Sequence, residues 1–276
     1  MNEYLTGAKL YGDDFTLDKI RQWYDEETEG YADLGSKEKT QYSYSYHNLN
    51  IIHGFSKIKS GALDKALGLG SAWGYEFEPV LDKIKEITIV EPSDNLRNDK
   101  IGNIVPTYVK PEVDGSLKFD DNTFDLITCF ATLHHIPNVS HVLSEIIRVA
   151  KPGGYILIRE PIVSMGDWSH PRPGLTKNER GIPKQIFEKA FANEPIEIIS
   201  KEHYFTVTSY IGKIIGRRLS KPIHTYKVYI LFDKLLSSLL KGNIHYHATN
   251  PLGKIAPSSV FYVLKKVGWR ESMTKA

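Results

Sequence analysis

Cysteine is nearly absent. The 276 residues hold one, Cys129, so no internal disulfide forms and no cysteine-based zinc site can be assembled. Such a chain suits a reducing compartment. Long apolar runs are also missing. A membrane span needs about 18 consecutive apolar residues, and the best candidate, Val228 to Leu240, is broken by Asp233 and Lys234. The first residues carry Glu3, Asp13 and Asp14 and lack the apolar centre of a signal peptide. No transmembrane segment is expected, and the protein is expected to be cytoplasmic. Neither sign of charge dominates: 35 Lys and Arg stand against 33 Asp and Glu, a net charge of +2. That balance gives no global electrostatic case for a nucleic-acid partner, and none is expected. There is no internal repeat and no low-complexity tract.

What remains is an ordinary globular composition, 41% hydrophobic and 25% charged, in a length that fits one α/β domain with additions. Residues 1–60 read as a helical, aromatic-rich N-terminal cap. Leu17, Ile20, Trp23 and Tyr24 share one helical face after Thr16, a candidate N-cap. Tyr42, Tyr44 and Tyr46 alternate, as in a short strand or in a loop that lays tyrosines against a ligand. From residue 61 strands and helices alternate. Strands are expected at 62–69, 87–90, 105–109, 124–130 and 155–158, with helical faces at Phe77–Ile84 and Val142–Ala150. Pro79 makes the start of the first of these helices irregular. Later come a helix at 182–191 and strands at 197–204 and 259–264. Such alternation predicts a Rossmann-like, mostly parallel sheet of seven strands with helices on both faces. The core is expected over 61–207, a late helical insertion or lid over 208–257, and the last strand and tail over 258–276.

In a parallel sheet ligands bind at the carboxyl ends of the strands, where the strand order reverses. Gly68 and Gly70 sit where the first strand turns toward the first helix, and glycine lets backbone approach a ligand. Glu91 closes the second strand, where a carboxylate accepts hydrogen bonds from both ribose hydroxyls. Glycine turn plus ribose acid points to an adenosine-containing cofactor. The run from Gly70 to Gly74 is one residue longer than a dinucleotide fingerprint, and Trp73 crowds it, so a pyrophosphate site is poorly made.

Further along stand Asp114-Gly-Ser-Leu-Lys-Phe119, Asp121-Asn-Thr-Phe-Asp-Leu-Ile-Thr128, Leu133-His-His-Ile-Pro-Asn138 and Leu143-Ser-Glu-Ile-Ile-Arg-Val-Ala-Lys-Pro-Gly-Gly154. In this order the set resembles the class I S-adenosylmethionine-dependent methyltransferases, in particular their small-molecule group, closely over about 60–160. The resemblance implies that Gly68 and Gly70 pass under the methionine part of S-adenosylmethionine and that Glu91 holds the ribose. It implies that Asp114 meets the adenine and that Phe130 and Leu133 border the cofactor. Two positions depart from the pattern. Ala66 stands where the family usually has an acid two residues before its first glycine, and Ala72 replaces the third glycine.

Methyl transfer from a sulfonium is an in-line displacement that needs alignment and dryness, and a base where the acceptor must lose a proton. His134 and His135 follow the fourth strand and are candidate bases, His135 the better placed. Beyond the fifth strand, Glu160, Asp167, Trp168 and Arg172 are candidate acceptor contacts, Asp167 for a hydroxyl or ammonium and Trp168 for a ring. Arg159 and Arg172 suit an anionic group, or Arg159 and Glu160 simply pair with each other. His245 and His247 lack a third ligand, and no metal is expected. Lys213, Arg217, Arg218 and Lys221 among apolar residues suit a solvated face of a lid, a homodimer helix, a membrane-surface contact or a phosphate grip. The expected reaction is methylation of an O or N atom of a small molecule, such as a sugar or glycan precursor. The rivals are a nicotinamide-dependent oxidoreductase and a non-catalytic cofactor-binding module.

Overall fold

The computed structural model describes residues 2–35, 42–59, 61–168, 170–172 and 175–268. Seven strands form one sheet: β1 (Lys65–Leu69), β2 (Glu86–Val90), β3 (Thr107–Val109), β4 (Phe124–Phe130), β5 (Ala150–Pro161), β6 (Ile196–Tyr204) and β7 (Ser259–Lys266). Their order is β3-β2-β1-β4-β5-β7-β6. The first five run parallel, and β7 enters antiparallel between β5 and β6. The order reverses between β1 and β4, which places the crevice of a Rossmann-like sheet at their carboxyl ends.

Two apolar layers sandwich the sheet. On one face α4 (Val139–Val149) and α5 (Lys184–Phe191) cover Ile127, Cys129, Ile156 and Ile158. On the other, α3 (His47–His53), the 3-10 helix Tyr75–Lys83 and Ile230 of α7 (Lys227–Leu240) cover Ala66, Leu126, Phe130 and Leu157. Two helices of the N-terminal region, α1 (Asn2–Leu5) and α2 (Leu17–Gly35), precede these, and α6 (Thr208–Ile215) lies between β6 and α7. The Thr16 carbonyl accepts from the Ile20 amide at the start of α2, and Ile20 and Trp23 are buried as the spacing predicts.

Two local expectations change, and one open alternative is resolved. The segment after the glycine turn is 3-10 rather than α-helical, with Pro79 inside it and unable to donate a backbone hydrogen bond. β5 starts at Ala150, which pairs with Phe124 before a register shift brings Leu126 opposite Tyr155, so Lys151–Gly154 lies within the strand instead of only stopping the helix. Tyr42 to Tyr46 is loop and turn leading into α3, not strand. Between β6 and β7 the chain forms α6, α7 and short 3-10 turns. Lys213 and Ile214 of α6 are exposed, as are Val228, Leu231, Leu235 and Leu239 along α7; the Arg217 side chain lies outside the described residues.

Glu202 of β6 ties these additions to the sheet. One oxygen bonds His53 Nδ1 of α3 at 2.7 Å and the other accepts from Lys234 Nζ of α7 at 2.8 Å. Burial alone pushes this carboxyl upward, but the bonds from His53 and Lys234 outweigh it and hold the pKa at about 2 against a usual 4.5. A folded-state pKa below the unfolded value contributes stability above the unfolded pKa and loses it as pH falls toward the folded one. Glu202→Gln is therefore expected to cost about 1–3 kcal/mol at pH 7. It should also flatten the loss of stability between pH 5 and pH 2 in urea titrations.

Candidate functional site

The turn after β1 is built on positive φ angles: +64° at Gly70, 46° at Ala72 and 72° at Gly74. A Cβ at Gly70 would lie 2.4 Å from Thr132 Cγ2, and one at Gly68 would lie 2.2 Å from Ser71 Oγ. Glycine suits Gly68 because Ser71 of the same turn folds back over it, and Gly70 because the turn packs directly against the loop after β4. That contact is fastened by Thr132, whose hydroxyl donates to the Leu69 carbonyl at 3.0 Å. Ala72 takes the left-handed conformation without being glycine, which strains the backbone by about 1–2 kcal/mol. Ala72→Gly is expected to stabilise the fold by about 0.5–1 kcal/mol after the entropy of the added glycine is counted. A melting temperature higher by about 1–3 °C would show it; an unchanged or lower one would show an unstrained turn.

At the end of β2, Glu91 is buried. Its oxygens accept from the Ala72 amide at 3.1 Å and the Ser93 amide at 3.0 Å. Burial raises its pKa, and these two amides oppose the rise. A carboxylate has about four acceptor positions, so two remain for a diol, and the chemistry fits a ribose. Asp114 is exposed in the loop after β3. Its carboxylate accepts from the Ser116 amide at 2.9 Å, which holds its pKa low. Tyr24 of α2 lies within its electrostatic reach. The N-terminal region therefore runs along the side of the crevice where an adenine would lie.

A buried acid that the motif does not include lies beneath the glycine turn. Glu76, fully enclosed, accepts from Thr128 Oγ1 at 2.5 Å and Ser71 Oγ at 2.8 Å beneath the same turn. Burial raises its pKa, against the bonds from Thr128 and Ser71 and the field of Arg159. Nothing in the sequence marks Glu76, which sits in a stretch that reads as one amphipathic helix.

The two histidines each meet a carboxylate through Nδ1. His134 bonds Glu160 at 2.8 Å and His135 bonds Glu27 of α2 at 3.3 Å, with the imidazole centroids 4.1 Å apart. Burial, then the neighbouring His135, lowers the His134 pKa, so its ring is neutral at neutral pH. Glu27 also accepts from Thr176 Oγ1 at 2.6 Å and the Asn178 amide at 3.0 Å; although burial raises its pKa, the bond from His135 and these two bring it below the usual value. Glu179 stands 3.7 Å from His134 Nε2. With His134 and His135 it sets three ligand-type atoms within 4.8 Å of one another. No sequence signal connects Glu27 or Glu179 to this place.

Several of the expected contact residues make bonds within the protein. Glu160 accepts from the Thr132 and Leu133 amides at 2.7 and 2.8 Å besides His134, which commits it to the turn. Leu133 is wholly buried in the core, and Phe130 packs among Phe55, Phe261 and Arg159. Asp167 lies 3.4 Å from His170, Arg172 donates to the carbonyls of Met165, Thr176 and Lys177, and Trp168 is buried against Tyr11 at 5.6 Å. His247 bonds Ser164 at 2.7 Å beside a cavity of about 270 Å³, away from the glycine turn.

This architecture, with its glycine turn, buried acid after β2 and loop after β4, is that of a class I methyltransferase. Residues 67–158 match the methyltransferase domain family, and over this segment the chain is similar to class I S-adenosylmethionine-dependent methyltransferases. Among its relatives, the ubiquinone/menaquinone biosynthesis C-methyltransferase UbiE of Hydrogenovibrio crunogenus is 39% identical over 130 residues, covering 43% of this chain and 50% of that protein. The same enzyme of Idiomarina loihiensis is 36% identical over 104 residues, covering 37% and 40%. The chain thus spans two-fifths to one-half of the length of these relatives. The [4+2]-cyclase SpnF shares the fold at a TM-score of 0.52, with 15% identity over 92% of this chain and 98% of its own.

Proposed function

We propose that the protein transfers a methyl group from S-adenosylmethionine to a small-molecule acceptor that must first lose a proton. The observation that carries this reading is the pair of histidine–carboxylate dyads beside the glycine turn, one member of which is joined to it through Thr132 and Glu160. S-adenosylmethionine supplies an already activated methyl group. The protein's share is to hold it over Gly68 and Gly70 with its ribose on Glu91, to shield the crevice with α2, and to accept the acceptor's proton. His135 serves as the base, its ring oriented by Glu27 at Nδ1. His134, held by Glu160 and more deeply buried, positions the turn.

A base of this kind suits a hydroxyl better than an amine that is already neutral, so oxygen is the favoured acceptor atom. A second reading, transfer to carbon, takes its support from the two UbiE relatives, which are named C-methyltransferases. The same base serves it, since removing the proton of a phenol makes both its oxygen and its adjacent ring carbon nucleophilic. The loop that suggested a sugar acceptor spends Asp167 and Arg172 on internal bonds.

Calorimetry is expected to show S-adenosylmethionine and S-adenosylhomocysteine binding, with no binding of NAD(H) or NADP(H). Label from methyl-labelled S-adenosylmethionine should appear in a phenolic or other hydroxylated acceptor. Cofactor binding with no labelled product across phenols, alcohols, amines and quinols would favour a non-catalytic module instead. His135→Asn should lower kcat by about 100- to 1,000-fold while leaving the cofactor Kd within about twofold, since it lies outside the cofactor contacts. An unchanged kcat would remove His135 from the reaction.

A further inference from the structure

We propose that the end of β5 holds an anion subsite for the acceptor, built on Arg159, so that the molecule methylated carries an oxyanion such as a carboxylate or phosphate. Arg159 is 5% exposed, yet among the described residues it has neither an ion-pair partner nor a hydrogen-bond acceptor, and its Nε is unsatisfied. A buried charge is normally paired or hydrogen-bonded. Strand alternation turns Glu160 to the other side of the sheet, where its carboxylate is committed to Thr132, Leu133 and His134. One oxygen of Glu76 accepts from both Thr128 and Ser71. Neither carboxylate forms an ion pair with Arg159, although the charge of Arg159 is felt at Glu76.

What Arg159 does have is aromatic rings. Its guanidinium carbon lies 4.2 Å from the ring centre of Tyr46 and 5.4 Å from that of Phe130. Rings attract the cation through its face, but the five N–H donors point outward in the guanidinium plane and need oxygens. A carboxylate or phosphate takes two of those donors at once. Among the described residues, the other titratable base stacked on Tyr46 is neutral. His224 stacks on Tyr46 at 4.6 Å, and burial, followed by the field of Arg159, lowers its pKa to about 4, leaving it neutral.

The cover of this subsite comes from both additions to the core. Ser45 Oγ meets His224 Nε2 at 3.0 Å, and Asn48 Nδ2 donates to the Thr225 carbonyl at 2.7 Å. All four residues lie outside the matched methyltransferase segment, 67–158. The position also separates the subsite from the cofactor. Arg159 sits on β5, and β4 stands between that strand and β1 with its glycine turn, a distance of about 10 Å at about 4.8 Å per strand. Assigning the anion to the acceptor rests on the methyl-transfer reading above; the existence of an anion subsite does not.

The test uses the full chain, wild type and with Arg159→Gln or Arg159→Lys, saturated with S-adenosylhomocysteine. Benzoate, 4-hydroxybenzoate and phenyl phosphate are compared with neutral benzamide and phenol by thermal shift and calorimetry. Wild type should be stabilised by the oxyanions and not by the neutral compounds. Arg159→Gln should lower oxyanion affinity at least tenfold and Arg159→Lys should restore part of it. Both variants should bind S-adenosylhomocysteine and 5′-methylthioadenosine as wild type does. The proposal is overturned if wild type does not prefer oxyanions, a comparison that holds even where a variant fails to fold, or if Arg159→Gln keeps the preference. It is also overturned if Arg159→Gln weakens S-adenosylhomocysteine but not 5′-methylthioadenosine, which would give the guanidinium to the cofactor's own carboxylate. Failure of wild type to bind S-adenosylhomocysteine at all would instead refute the methyl-transfer reading.

Discussion

The architecture of the site depends on one buried carboxylate. Glu160, at the end of β5, accepts from two successive backbone amides of the loop after β4 and from His134. Each buried donor left without a partner costs about 1–3 kcal/mol, so this side chain dictates the path of the loop. Thr132 then carries the constraint one strand further, to the Leu69 carbonyl and the face of Gly70. Three strand ends that are distant in sequence thereby act as one rigid rim.

Arg180 braces the same loop from below. Its guanidinium donates to the carbonyls of Tyr11, Leu133, His134, Ile136 and Pro137 and lies 4.8 Å from the Trp23 ring. Burial lowers its pKa to about 10, which leaves it charged at neutral pH. Trp23 adds a bond from its indole to the His135 carbonyl at 2.8 Å. The N-terminal region is thus more than a lid: Tyr11, Trp23 and Glu27 hold the histidine turn from outside the sheet. The donors of the turn are satisfied by Glu160, its carbonyls by Arg180 and Trp23, and its imidazoles by Glu160 and Glu27.

The sheet was largely legible in the chain, because alternating apolar runs and glycine–proline punctuation report burial and chain reversal directly. β4 has the expected bounds, and Glu91 stands buried at the end of β2, as the spacing from Gly70 implies. The departures have equally physical causes. Pro79 forbids an α-helical ladder, and the Lys151–Gly154 run pairs with β4 despite its turn-like composition. At the site, residue type told less than geometry. Arg159 and Glu160 are neighbours that read as a pair, but a strand sends successive side chains to opposite faces. Glu160 goes to the histidine turn and Arg159 to the tyrosines. Glu27 and Glu179 were invisible because their partner, the turn at 134–135, reaches them only through tertiary packing.

The roof above Arg159 is fastened differently from the rim. Its clasps, Ser45 to His224 and Asn48 to Thr225, join residues 179 and 177 positions apart, and both are polar and few. The rim beneath is fully bonded within the sheet ends. Among the described residues, the roof is further held by the stacking of His224 on Tyr46 and its contact with the Phe205 ring, neither of which belongs to the strand pairing or the histidine turn. The roof thus hangs on long-range links between the two additions, and the rim on bonds made at the strand ends themselves.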